Sequence, residues 1–184
     1  MLARRQFLGL GGLGVAALVA PRIGRAAGVT EIRMRSDARG EHVWFDPVGL
    51  LLEPGVTIRW VMDSPGNPHT TTAYHPNNAQ HSRRIPAKAV PWDSGFLVTP
   101  GDHFDVTLRE PGVYDYFCLP HEAAGMVGRL IVGRPGGPGA QPFDYFVGRP
   151  ETAQWAAVPP AARANFPSID AIMARKVVRV NPAG

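Results

Sequence analysis

A chain of 184 residues has room for one ordinary domain with extensions, while two full domains would be tight. With 45% hydrophobic and 18% charged residues it can bury a real core, which excludes wholesale disorder. The net charge of +4 does not mark a nucleic-acid binder: Arg4, Arg5, Arg22 and Arg25 lie in the acid-free first 26 residues, and the remainder carries 15 basic and 15 acidic groups.

The first element is a leader over residues 1–26. Arg4-Arg5-Gln6-Phe7-Leu8 opens an apolar, Gly- and Ala-rich run that ends at Ala20, and Gly24-Arg25-Ala26 offers the small residues that a signal peptidase reads. The run is about 13 residues, short of the roughly 20 that a spanning helix needs. Paired arginines before Phe-Leu resemble a twin-arginine export signal, which serves proteins that cross the membrane already folded. A general secretory signal with two chance arginines and a retained signal anchor are the alternatives. No cysteine lies near the cleavage site, so a lipoprotein anchor is excluded. The expected location is periplasmic or otherwise extracytoplasmic, with membrane contact only through this segment if it stays uncleaved.

From residue 29 to 133 the chain reads as short strands with period-two alternation. Ile32 and Met34 alternate with Glu31, Arg33 and Arg35; Val56, Ile58, Trp60 and Met62 share a face; Phe104, Val106 and Leu108 alternate with His103, Asp105, Thr107 and Arg109. Turn chemistry fences these runs at Glu53-Pro54-Gly55, Thr99-Pro100-Gly101-Asp102 and Glu110-Pro111-Gly112. One apolar and one polar face per strand predicts two sheets packed face to face. Residues 75–92 are polar and proline-containing and read as a long loop. Within it Arg83-Arg84 reads as a solvated basic pair, and His75 and His81 as surface histidines with no third ligand near enough in sequence for a second metal site. His42 and His103 read as outward-facing and carry no role.

After residue 133, Arg134-Pro135-Gly136-Gly137-Pro138-Gly139 looks like a linker into a tail with Phe143, Tyr145, Phe146, Trp155 and Phe166. The tail holds one helix candidate, capped by Ser168 and lined on one face by Ile169, Ile172, Met173 and Val177. Such a segment buries little by itself, so residues 134–184 are expected to pack on the sandwich.

The chemistry sits in Tyr114-Asp115-Tyr116-Phe117-Cys118-Leu119-Pro120-His121-Glu122-Ala123-Ala124-Gly125-Met126. A strand ending at Cys118 and a tight loop bring together a thiolate, an imidazole and a thioether, and His69, after Asn67-Pro68, is the candidate fourth donor. Cys118 is the one cysteine of the chain, and in an oxidising compartment a lone thiol needs burial, a partner or a metal. Two imidazoles, a thiolate and a weak thioether suit a blue-copper centre, since the set satisfies both Cu(I) and Cu(II) with little movement. Structural zinc wants four firm ligands, and Met is a poor one.

In these residues the sequence resembles the cupredoxins, the plastocyanin, pseudoazurin and halocyanin group. The resemblance covers residues 29–133. It is carried by Cys118-x2-His121-x4-Met126, the Val113-Tyr114-Asp115-Tyr116-Phe117 strand, Pro68-His69, and Trp92-Asp93-Ser94-Gly95 ahead of Pro100-Gly101. It implies an all-β Greek-key sandwich or barrel of about eight strands, here with a C-terminal extension containing a short helix. It also implies one mononuclear type 1 copper at one end, with His121 the ligand nearest the surface. The sequence departs from the family after the first histidine, where many members have an Asn that ties its loop to the cysteine loop; Thr70 is the candidate for a similar bond.

The expected function is one-electron transfer between larger redox proteins. A copper chaperone or store is the alternative, although the five scattered methionines supply no cluster for it. An oxidase- or reductase-like enzyme would need a second copper, for which only His75 and His81 offer themselves. Transient redox partners are expected to dock near His121, Pro120, Ala123 and Ala124, with Glu122 as the one charged neighbour to orient them. Tyr114 and Tyr116 share the Cys118 side of their strand and read as core.

Overall fold

The computed structural model describes residues 28–180, so the export leader expected over residues 1–26 lies outside the described residues. The predicted alternation forms two sheets. One runs β2 (Val43–Asp46), β1 (Val29–Ser36), β4 (Val56–Met62), β6 (His103–Leu108). The other runs β5 (Thr72–Ala73), β7 (Gly112–Phe117), β8 (Val127–Val132), β3 (Gly49–Leu52), β9 (Val177–Val178). Two parallel pairings, β1 with β4 and β3 with β8, sit among antiparallel ones, because β2 and β3 follow each other in sequence but join different sheets. This is the expected all-β sandwich.

The inward residues read from the sequence meet between the sheets. Ile32, Met34, Ile58, Trp60 and Met62 are buried in one cluster with Tyr114, Tyr116, Cys118 and Met126. Trp60 sits 5.3 Å from Tyr116 and 5.4 Å from Trp92, centroid to centroid, in a core built on aromatic contacts. The metal-ligand candidates therefore emerge from the rigid end of the core.

β7 and β8 break the one-face rule, since every residue of both is buried. The tail covers their outer face. Val158, Ala162, Phe143 and Phe166 pack around Tyr74, Phe117 and Val127, while Ile172 meets Val113 and Ile131. Residues 134–139, which read as a linker, lie against β7: the Val113 amide donates to the Gly136 carbonyl at 3.0 Å, and Gly139 is buried. The Ser168-capped helix forms as α2 (Ile169–Arg175), with the Ser168 hydroxyl accepting from the Ala171 amide at 3.1 Å. It stops earlier than its pattern suggests. Lys176 takes φ 67°, and Val177 then pairs with Leu50 as part of β9 instead of lining the helix. A second short helix, α1 (Pro160–Asn165), has no counterpart in the sequence reading.

Arg84 corrects the expectation of a solvated pair. It is buried, and with Arg129 it grips the fully buried Asp115 of β7. Asp115 is an outward residue of its strand, so its charge is stranded beneath the tail and needs both guanidinium groups to neutralise and hydrogen-bond it.

Candidate metal centre

Three donors converge where β7 meets the segment entering β5. His69 is fully buried and locked by a two-way backbone bridge to Leu97. Its Nε2 lies 3.0 Å from Ser36 Oγ at the end of β1, and its Nδ1 faces Cys118 Sγ at 3.6 Å. With Nε2–H donating to Ser36, Nδ1 is left as a lone-pair donor, the tautomer that metal ligation requires. Asn67 also donates to Ser36 Oγ, at 3.3 Å, and so steadies that hydroxyl. Ser36 escaped the sequence reading because it lies 33 residues away on another strand.

Cys118 directly follows β7, capping the next helix, and is fully buried. A 3-10 helix, Leu119–Ala124, with Pro120 in its first turn, then carries His121 back over it, so that His121 Nδ1 lies 3.3 Å from Sγ. The helix closes at Gly125, whose φ of 86° suits glycine and whose missing Cβ makes room for Asn165. Met126 follows, fully buried, donating its amide to the His121 carbonyl at 3.1 Å and accepting from the Cys118 amide at 3.0 Å. The ligating atoms of His69, Cys118 and His121 all lie within 4.8 Å of one another, the one such group among the described residues.

Thr70 supplies the cross-link expected of it. Its amide donates to Cys118 Sγ at 3.3 Å, and its hydroxyl accepts from the Leu119 amide at 2.8 Å, tying the two ligand segments together. Trp92 and Asp93 buttress the same strand: the Trp92 indole donates to Thr71 Oγ1, and Asp93 accepts from Thr72 Oγ1.

Burial sets the protonation of the donors. It lowers the His69 pKa to about 4, with repulsion from His121 adding to the effect, and it lowers that of His121 as well, so both imidazoles are neutral at neutral pH. Burial pushes the Cys118 thiol up to about 11, against the opposing pull of the Thr70 amide. The thiol therefore ionises only against a cation seated beside it, and loading releases a proton. Two neutral imidazoles, a thiol primed in this way and a neighbouring thioether make a soft, compact donor set that fits copper.

His75 and His81 are buried rather than superficial, and neither joins a second donor cluster among the described residues. Glu122 is the other correction. It turns inward, where it accepts from Tyr74 Oη at 2.6 Å and pairs with His81 Nε2 at 2.8 Å, so it is not a surface charge awaiting a partner.

Comparison with known proteins agrees with this geometry. The profile of a family described as copper binding proteins, plastocyanin/azurin family, matches residues 32–133. The chain is 30% identical to plastocyanin from Prochlorothrix hollandica over 107 residues, 58% of this chain and 75% of the relative. It is 31% identical to the chloroplastic plastocyanin of Chlamydomonas reinhardtii over 130 residues, 71% of this chain and 83% of the relative. The fold resembles that of pseudoazurin from Methylobacterium extorquens AM1 with a TM-score of 0.51 and 21% identity, covering 80% of this chain and 98% of the other.

Proposed function

The chain belongs to the plastocyanin/azurin family of copper-binding proteins, and from that membership we propose that it is a one-electron carrier, not an enzyme, working outside the cytoplasmic membrane with His69, Cys118, His121 and Met126 as its copper ligands. The observation that carries this reading is the approach of the His69 and His121 Nδ1 atoms to Cys118 Sγ, inside the segment that matches the family. Bound copper would supply a single reversible electron. The residues supply everything else: Ser36 and the Leu97 bridge fix His69, Thr70 fixes Cys118, and the core excludes water from Met126. Donors held this firmly move little when the charge on the metal changes, which is what rapid transfer requires. The leader over residues 1–26, whose Arg4-Arg5-Gln6-Phe7-Leu8 resembles a twin-arginine signal, supports an extracytoplasmic location.

The test is the copper-loaded protein itself. It is expected to show an intense blue or green thiolate band and a reversible one-electron wave. A colourless protein would overturn the reading, and weak, exchangeable Cu(I) with no reversible wave would identify a storage role instead.

His121 is the half-buried ligand candidate, and Leu119, Pro120, Ala123 and Ala124 around it are exposed. Because Glu122 points inward, this collar presents no charge of its own, and a partner can approach without desolvating one. Electrons pass through the His121 edge in this reading. Ala124→Lys is expected to slow self-exchange by about tenfold, because the encounter sets two like charges face to face, while the spectrum stays unchanged. A wild-type exchange rate in this variant would move the docking surface elsewhere.

A further inference from the structure

The inward turn of Glu122 demands an explanation, because a carboxylate buried under a surface loop is costly and an apolar side chain would fill the same space more cheaply. Among the described residues, Glu122 is the only member of the Leu119–Ala124 helix whose side chain hydrogen-bonds to a residue distant in sequence, His121 reaching only the adjoining Cys118. Pro120, Ala123 and Ala124 have nothing to bond with. Both partners of Glu122 are themselves held. The Tyr74 backbone bonds to the Asp115 carbonyl and the Arg84 amide, and its ring lies 4.5 Å from that of Phe117. His81 stacks on Phe117 at 4.4 Å with its ring 5.5 Å from that of Tyr74, and its Nδ1 faces the Asn78 carbonyl at 3.1 Å. Both ring nitrogens of His81 thus face oxygen acceptors, the arrangement of an imidazolium. Burial works against that charge, but the bonds to Glu122 and to backbone carbonyls outweigh it and raise the His81 pKa.

Phe117 immediately precedes Cys118, and Tyr74 lies five residues after His69 in the chain. The Glu122 carboxylate, one residue from His121, is therefore bonded to the His69-bearing segment through Tyr74, and both of its partners pack their rings on the residue before Cys118. We propose that Glu122 is a positioning residue: fastened from beneath by Tyr74 and His81, it holds the His121 loop so that the imidazole occupies the same place before loading and in both redox states. This rests on the reading of His121 as a copper ligand.

Two substitutions separate bonding from charge. Glu122→Gln keeps both bonds, since the amide oxygen accepts from Tyr74 and the amide nitrogen donates to a neutral His81. Glu122→Ala removes both. In the metal-free alanine variant the His121 ring resonances are expected to broaden or split by NMR. In its copper form the thiolate band is expected to shift and self-exchange to slow by about tenfold. Glu122→Gln is expected to restore all three. Wild-type His121 resonances and wild-type exchange in Glu122→Ala would overturn the proposal, and so would an equal loss in Glu122→Gln, which would trace the effect to charge. Should Glu122→Ala fail to fold, Tyr74→Phe decides: it keeps the ring on Phe117, removes one bond, and overturns the proposal if His121 is unaltered. Failure of the copper reading would look different, because wild type itself would then lack the thiolate band.

Discussion

Cys118→Ser is expected to abolish the visible thiolate band and the reversible one-electron wave completely, while the sandwich stays folded. Sγ is the sulfur that both imidazoles face, at 3.6 Å for His69 and 3.3 Å for His121. A serine hydroxyl does not ionise at neutral pH and is a hard donor, so Cu(I) loses the soft ligand that stabilises it. The cost to the fold is small, because serine is close in size and its oxygen can accept the Thr70 amide that now reaches Sγ at 3.3 Å. A penalty of about 1 kcal/mol is expected for this exchange in the core. Absorption spectroscopy and a thermal melt on the same sample check both halves. Retained colour would show that the site has been misassigned.

The largest loss of stability is expected from Asp115→Ala. Asp115 accepts from Arg129 Nε at 2.7 Å and Nη2 at 3.0 Å, and from Arg84 Nε at 2.7 Å, with no exposure to solvent. The two guanidinium groups carry the tail as well. Arg84 donates to the Gly139 and Gln141 carbonyls and lies 4.1 Å from the Phe143 ring centre; Arg129 donates to the Pro167 carbonyl and lies 4.9 Å from that of Phe166. Truncating the carboxylate leaves two buried cations with no counter-charge, which costs about 3–5 kcal/mol. For a chain of this size that corresponds to a fall of roughly 10 °C in Tm. Asp115→Asn keeps the shape and loses the charge, so it should fall between wild type and alanine. The copper spectrum should survive, because Asp115 points away from the face that Cys118 shares with Tyr114 and Tyr116. Calorimetry finding wild-type stability in Asp115→Ala would show that the triad does not hold the tail.

Local pattern determined a great deal. Alternation at residues 56–62 and 103–108 was enough to assign faces, because a strand turns each successive side chain to the opposite side whatever lies beyond it. Cys118, His121 and Met126 were legible as a donor set because one nine-residue stretch carries all three, and loop closure over so short a span leaves them little choice but to meet. Ser168 announced α2 because an N-cap acts within its own first turn.

What only the tertiary structure decided is the fate of the charged and polar side chains. Arg84, Glu122 and His81 each read as exposed on local grounds and Asp115 only as an alternating strand residue, yet all four are buried, because the tail and the 75–92 segment fold over the outer face of β7 and β8 and bring the charges together. Ser36 likewise becomes a support for His69 only when β1 is laid beside the ligand segment. Hydrophobic periodicity is a property of neighbours along the chain, and it survives in a sequence read alone. A charge is buried only where a partner from a distant segment meets it, and that meeting exists only in the folded chain.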